Sequence, residues 1–320
     1  MPEMTFLRKK IAHLVLIVFV VSVFSFLLVD LLPADVAYEL AGYDATLEEV
    51  ESLREQLGLN DPIIMRYGRW LGGVFQGDLG VSLLNREPVW QAIMARLPVT
   101  LELLFIAQIF ALLLAIPAGI FAAHRAESRS DRTLSSIAFG LISIPSFAMA
   151  MLLIFIFSLQ LKWFPATGYT PLSAGLWPNL KGFILPALAI ALAEWVPLMR
   201  VLRSDMITTL QEDYILLAKS QGLPTRRILF RHALRPSCFT LLTIFGLQVG
   251  HLIGGALIIE TVFALPGIGR LMIGAIFAQD STIVQGCVLF ITTGYLVINF
   301  LVDLGYRLLD PRIGSEQTHG

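Results

Sequence analysis

The stretch 212-EDYILLAKSQGLPTRRILFRHALRPS-237 carries five Arg or Lys residues and separates two long apolar runs. Leu210, Tyr214, Leu217 and Ala218 recur at i, i+4, i+7 and i+8, the spacing of one helix face. Gly222 follows where a left-handed residue can end a helix without a Cβ penalty. Pro224 suits the first turn of a new helix, where its missing N–H needs no partner. Arg226, Arg227 and Arg231 project from that second limb, and Ile228, Leu229 and Leu234 give it apolar contact. The pattern predicts a short, rigid helix–Gly–helix elbow within residues 205–236.

The elbow is an interruption in an oily chain. Of 320 residues 56% are hydrophobic and 15% charged, whereas a soluble domain carries about 25% charged residues. Six apolar runs are long enough to cross a bilayer, which takes about 20 residues. They lie at about 11–32, 101–123, 134–161, 183–202, 238–259 and 282–304. The expected fold is an all-α integral membrane protein of six transmembrane helices, a single domain over 1–320. Pro117, Pro145 and Pro197 fall inside runs, which membrane helices tolerate. Arg8, Lys9 and Lys10 precede the first run, but it is longer than a signal-peptide core, and LLPADVA offers no small-x-small cleavage site. It reads as an uncleaved span.

Charge sets the orientation. Fifteen Lys and Arg residues lie at the N-terminus, between the second and third runs, around the elbow and in the tail, against eight on the other side. Both termini and the elbow are therefore expected in the cytoplasm. The long loop at 33–97 is then extracytoplasmic. Within it TLEEVESLREQLGL reads as an amphipathic helix, capped by Thr46 with Glu49 and stopped at Gly58. YGRWLGGVFQGDLGVSLL suits a segment at the membrane surface.

Catalytic patterns are missing. No GxxxxGK[ST], HExxH, GxSxG or CxxC occurs, and the histidines at 13, 124, 232, 251 and 319 do not pair at ligand spacing. Cys238 and Cys287 both sit in apolar runs, so neither a disulfide framework nor a metal site is expected. A net charge of −1 gives no reason to expect nucleic acid.

Polar residues inside spans are functional candidates because their burial is expensive. Glu102, Glu260 and Asp303 lie near run ends, where an interfacial or capping role explains them. Glu194, six residues before Arg200 and nine before Arg203, either pairs structurally or serves transport. Gln248 and His251 share a helix face beside Gly246, Gly250, Gly254 and Gly255, lining a pathway or bonding across a helix contact. The elbow itself has three readings: lipid headgroup binding, a positive anchor, or docking into a cytoplasmic partner. Anchoring alone would need charges but not a central glycine with apolar faces on both sides, and docking explains more of the residues.

The elbow resembles the EAA loop of binding-protein-dependent ABC importer permeases, in the form of the dipeptide, oligopeptide, glutathione and nickel branch. LREQLGLNDPIIMRYGRWLGGVFQGDLGVSL (53–83), RLPVTLEL (96–103), IPSFAMAMLLIFIFS (144–158), LIGGALIIETVFALPGIGRL (252–271) and NFLVDLGYRLLDPRI (299–313) resemble that branch in order. The long first loop and the DPRI ending are similar to the first, B-type, subunit of the permease pair. The resemblance implies a type I permease core in a bacterial inner membrane, with a second homologous permease, two cytoplasmic ATPase subunits and an extracytoplasmic substrate-binding protein. It makes the elbow a coupling helix pair, with Glu212, Tyr214, Ala218, Gly222, Arg226, Arg227 and Arg231 meeting the ATPase, and leaves Gln248, His251 and Glu194 as pathway candidates. No cofactor is expected on this chain, ATP and Mg belonging to the ATPases. Di- or oligopeptides are the expected cargo, with nickel or glutathione as alternatives. A secondary carrier would instead need coupled intramembrane carboxylates and inverted halves.

Overall fold

The computed structural model describes residues 2–30, 37, 45–56 and 58–309. The first part of the predicted extracytoplasmic loop and the DPRI ending fall outside the described residues, as do some helical side chains, including that of His251. The helices in order are α1 (Pro2–Asp30), α2 (Leu47–Gln56), α3 (Ile63–Phe75), α4 (Val89–His124), α5 (Arg129–Ile142), α6 (Ser146–Leu153) and α7 (Leu176–Leu210). They continue with α8 (Asp213–Ser220), α9 (Thr225–Arg227), α10 (Leu234–Val262), α11 (Ile268–Phe277) and α12 (Ser281–Leu309). Wider π-helical turns follow α6 at Ile154–Gln160 and precede α10 at Ile228–Ala233.

Among the described residues α4, α7 and the Ser281–Val302 part of α12 are long and apolar enough to cross a membrane, and a bent pair of helices makes a fourth candidate. The first and fifth predicted runs fall in α1 and α10, each of 29 residues. The helices outrun the apolar stretches that announced them. α4 begins at Val89 rather than near 101, because Val89, Ala92 and Ile93, at i, i+3 and i+4, are all fully buried. The end of the stretch read as loop is therefore helix. At a rise of about 1.5 Å per residue, the 36 residues of α4 span about 54 Å, well beyond a hydrocarbon core of about 30 Å.

The third predicted span, 134–161, is not one helix. Its two parts, Arg129–Ile142 and Ser146–Gln160, meet at 99°. Pro145 has no N–H to continue α5 and biases Ile144 away from helical geometry. The Ile144 N–H instead turns back to the Leu141 carbonyl at 3.2 Å, and the Ser143 hydroxyl donates to the Phe139 carbonyl at 2.7 Å. Pro186 and Pro197, by contrast, sit inside a continuous α7.

The chain forms two compact units, Met1–Thr100 with Pro266–Val297, and Leu101–Leu265 with Ile298–Gly320. In the first, Val89 and Ile93 of α4 pack with Ile268 and Ala275 of α11 and with Ile283 and Cys287 of α12. Tyr67 and Trp70 of α3 pack against Phe26 of α1, the first edge-on and the second tilted, with ring centroids 5.4 and 5.8 Å away, and the Ser22 and Tyr67 hydroxyls lie 2.7 Å apart. α2 starts with the expected capping box. The Thr46 N–H reaches the Glu49 carboxylate at 2.8 Å and the Glu49 N–H reaches the Thr46 hydroxyl at 3.3 Å. Main-chain and hydroxyl donation from Thr46 hold that carboxyl below its ordinary range.

The second unit is built on α7. Ala191, Trp195, Leu198, Met199, Leu202 and Met206 are buried along it, against Ala111 and Ala115 of α4 and Leu241 of α10. A Cβ placed on Gly119 of α4 would lie 2.9 Å from Leu202 Cδ2 and 3.2 Å from Leu202 Cβ, and Leu202 is fully buried. Gly119→Ile therefore forces α4 away from α7 and is expected to lower stability by about 1–3 kcal/mol. Gly140→Ala, where a Cβ meets nothing within 4 Å inside α5, is expected to leave stability equal or slightly raised. Thermal unfolding of the two detergent-solubilised variants checks the contrast.

Candidate functional site

The first limb of the elbow is α8, which follows α7 after a two-residue turn at Gln211 and Glu212. Glu212 is its N-cap with extended backbone, and its carbonyl accepts the Ile215 N–H at 3.0 Å. The helix ends as its sequence predicts. Gly222 has φ +76°, its N–H bonds the Lys219 carbonyl at 3.0 Å, and the Leu223 N–H bonds the Ala218 carbonyl at 3.2 Å. This double closure is the Schellman turn, and its left-handed residue favours glycine. No heavy atom would lie within 4 Å of a Cβ at Gly222, so backbone conformation rather than space selects the residue.

Pro224 stands one position earlier than expected, at the N-cap, with φ −65° and ψ 143°. Its carbonyl accepts the Arg227 and Ile228 N–H groups at 2.9 and 3.2 Å. The second limb is also not a separate helix. From Thr225 the chain winds through α9 and the π turns Ile228–Ala233 directly into α10. Pro236 does not stop the winding, which widens into the π turns just before it.

Ile215, Ala218 and Ile228 are buried together, with Leu210 and Leu223 beside them, and bind the two limbs. The outward side combines apolar and basic groups. Tyr214, Leu216, Leu217 and Phe230 are about half exposed, and Arg226, Arg227 and Arg231 are exposed with them. Ala218, read as a docking residue, is turned inward at 5% exposure, while Leu216 joins the outer face. The Tyr214 hydroxyl donates to the His232 carbonyl at 3.3 Å. Partial burial, and then the Glu212 charge, push this hydroxyl above its ordinary pKa.

The pathway candidates lie higher on α7 and α10. Gln248 Nε2 donates to the Glu194 carbonyl at 3.0 Å, so one of the pair is held by the main chain of the other. Gln248 Oε1 is buried with no partner among the described residues, as are both amide atoms of Gln108. His251 falls in α10, one turn beyond Gln248, and its side chain lies outside the described residues. The arginines near Glu194 have other neighbours. Arg200 lies over the Phe139 ring at 5.0 Å.

Arg203 makes the polar contact that sequence reasoning missed. Its Nε and Nη2 reach the two Asp131 carboxylate oxygens at 2.8 and 2.6 Å, a bidentate pair between α7 and the first turn of α5. Asp131 is 2% exposed, and its carboxylate also accepts the Glu127 N–H at 2.9 Å. The available signal was Ser128 three residues earlier, a capping spacing, with its hydroxyl on the Asp131 N–H at 3.2 Å.

Comparison with known proteins agrees with this architecture. The family described as binding-protein-dependent transport system inner membrane component matches residues 115–315, and its N-terminal counterpart matches residues 3–104. A Brucella abortus protein named as a peptide transport system permease is 40% identical over 305 residues, 95% of this chain and 97% of that one. The oligopeptide transport system permease protein AppB of Bacillus subtilis is 34% identical over 92% of this chain and 94% of its own. The glutathione transport system permease protein GsiC of Escherichia coli is 34% identical over 97% of this chain and 99% of its own. Among solved structures, a chain of the inward-facing MetNI methionine ABC transporter superposes with TM-score 0.57 at 14% identity, covering 68% of this chain and 95% of that one. This last likeness speaks to fold alone.

The Asp131–Arg203 pair yields a prediction. Asp131→Asn leaves a partly buried guanidinium without its carboxylate and is expected to destabilise the protein by about 1–2 kcal/mol. Asp131→Asn with Arg203→Met is expected to be less damaging than Asp131→Asn alone. Unfolding of the three forms side by side tests the order.

Proposed function

We propose a function on the premise that family membership supplies: the chain belongs to the family of binding-protein-dependent transport system inner membrane components. It is a transport subunit of an inner membrane, not an enzyme. Our reading is that it is a permease subunit of an ATP-driven importer of di- or oligopeptides. One observation carries this, the end-to-end similarity at 40% identity to a relative named as a peptide transport permease. Glutathione, itself a peptide, is the second cargo to test, because the equally full-length GsiC relative is named for it.

On this reading 1–320 is one permease domain with six spans, the loop at 33–97 outside and both termini inside. It pairs with a second, homologous permease above two cytoplasmic ATPases, and a binding protein delivers cargo from outside. ATP and Mg stay on the ATPases. The elbow is the coupling element. Leu216, Leu217, Phe230 and the Tyr214 ring supply the apolar face that enters the ATPase, and Arg226, Arg227 and Arg231 meet acidic groups at its rim. Closure of the ATPases moves the elbow, and with it α7 before it and α10 after it. A rigid-body rocking of this kind exposes the pathway to alternate sides. Gln248, His251 and Glu194 lie on those two helices, where such a motion would be felt by cargo.

Reconstitution with the partner permease, ATPases and binding protein is expected to give ATP-dependent peptide uptake; uptake that persists without the ATPases identifies a secondary carrier instead. Gly222→Val strains the left-handed turn by about 1–2 kcal/mol and is expected to cut uptake several-fold while insertion and assembly stay normal. Full uptake by that variant would remove the elbow from the coupling path.

A further inference from the structure

We propose that Tyr214 is a positioning residue for coupling: its hydroxyl holds the carbonyl that Pro236 leaves without an α-helical donor, and this ties the first limb of the elbow to the foot of α10. The inference rests on the coupling reading of the elbow and adds to it a specific load path.

In an α-helix residue i donates its N–H to the carbonyl of residue i−4. Pro236 has no N–H, so the His232 carbonyl lacks that donor. The turns immediately upstream, Ile228–Ala233, are π-helical, the widening by which a helix absorbs a broken ladder. The His232 carbonyl is the acceptor that Tyr214 reaches across the elbow at 3.3 Å, the long end of the hydrogen-bonding range. The neighbouring Ala233 carbonyl accepts the Ser237 hydroxyl at 3.0 Å, and Ser237 Oγ lies 3.4 Å from Thr209 Oγ1 at the end of α7. Hydroxyls from α7, α8 and α10 thus gather round one wide turn.

Tyr214 is 46% exposed, so its ring is free to meet a partner while its hydroxyl is committed to its own chain. The other tie between the limbs is the small apolar cluster of Ile215, Ala218 and Ile228. Apolar contact is not directional and lets the limbs slide. The hydroxyl-to-carbonyl bond is directional, and it makes displacement of α8 a displacement of the turn that starts α10.

The test uses the complete transporter in proteoliposomes with its binding protein and trialanine as cargo. Two quantities are read, peptide carried per ATP hydrolysed and amide hydrogen exchange over 228–233. Tyr214→Phe is expected to lower peptide per ATP about five-fold, equivalent to about 1 kcal/mol at 1.4 kcal/mol per tenfold, with hydrolysis retained and exchange faster. Adding Pro236→Ala to Tyr214→Phe is expected to restore both readouts, because the main-chain N–H that alanine brings supplies the missing donor to the His232 carbonyl.

A Tyr214→Phe defect that Pro236→Ala does not relieve overturns the proposal and makes the Tyr214 hydroxyl, and not only its ring, a direct contact of the ATPase. Unchanged exchange in Tyr214→Phe overturns it by showing that the bond does not hold the turn. Faster exchange with unaltered peptide per ATP also overturns the coupling role, and Gly222→Val then reveals whether the elbow reading has failed with it.

Discussion

A proline brings no N–H to the carbonyl four residues before it, so each proline within a helix of this chain sets a local problem that another group must solve. The solutions differ from site to site, and they shape the molecule. At Pro145 the chain gives up the helix: the Leu141 carbonyl is taken by a turn, and α5 and α6 part at 99°. Before Pro236 it keeps the helix and widens it into π turns, with the Tyr214 hydroxyl on the His232 carbonyl and the Ser237 hydroxyl on the Ala233 carbonyl. At Pro186 and Pro197 a buried α7 continues without a break. Proline alone does not choose among these outcomes.

The same constraint explains why the elbow is stiff. Two short limbs meet at a glycine whose Schellman turn uses both main-chain donors that follow α8. A small apolar cluster holds one limb against the other, and the Tyr214 hydroxyl bonds across to the second limb. What remains outward is a mixture of half-exposed apolar groups and arginines, the surface that on the proposed function meets the ATPase. Because the second limb runs without interruption into α10, a push on the elbow has no flexible joint in which to be lost. On the proposed mechanism that continuity converts closure of an ATPase into movement of a transmembrane helix.

Much of this was legible in the residues. Hydrophobic runs announced the helices, because a bilayer demands length and apolarity and little else can satisfy it. Thr46 with Glu49, and Gly58 and Gly222, marked helix ends, because capping is a local affair of three or four residues. Helix starts were legible only where the apolar run began. Val89 to Leu97 join α4 through burial against α11 and α12, which composition does not display. Asp131 and Arg203 are 72 positions apart, and no local pattern says that a capping aspartate will find that arginine rather than leave Glu194 to it.

The sequence by itself determined the class of fold, the place and turn chemistry of the elbow, and, through its charges, an expected side of the membrane. Each of these follows from a one-dimensional pattern: a run, a spacing or a count. Tertiary structure alone decided that Pro145 breaks a span while Pro197 does not, and that Arg203 belongs to Asp131. It also decided that the Tyr214 hydroxyl closes on the carbonyl four residues before Pro236. The physical reason is common to all three. A polar or strained group is satisfied by whatever the fold brings within about 3 Å of it, and that neighbour is set by packing between segments far apart in the chain.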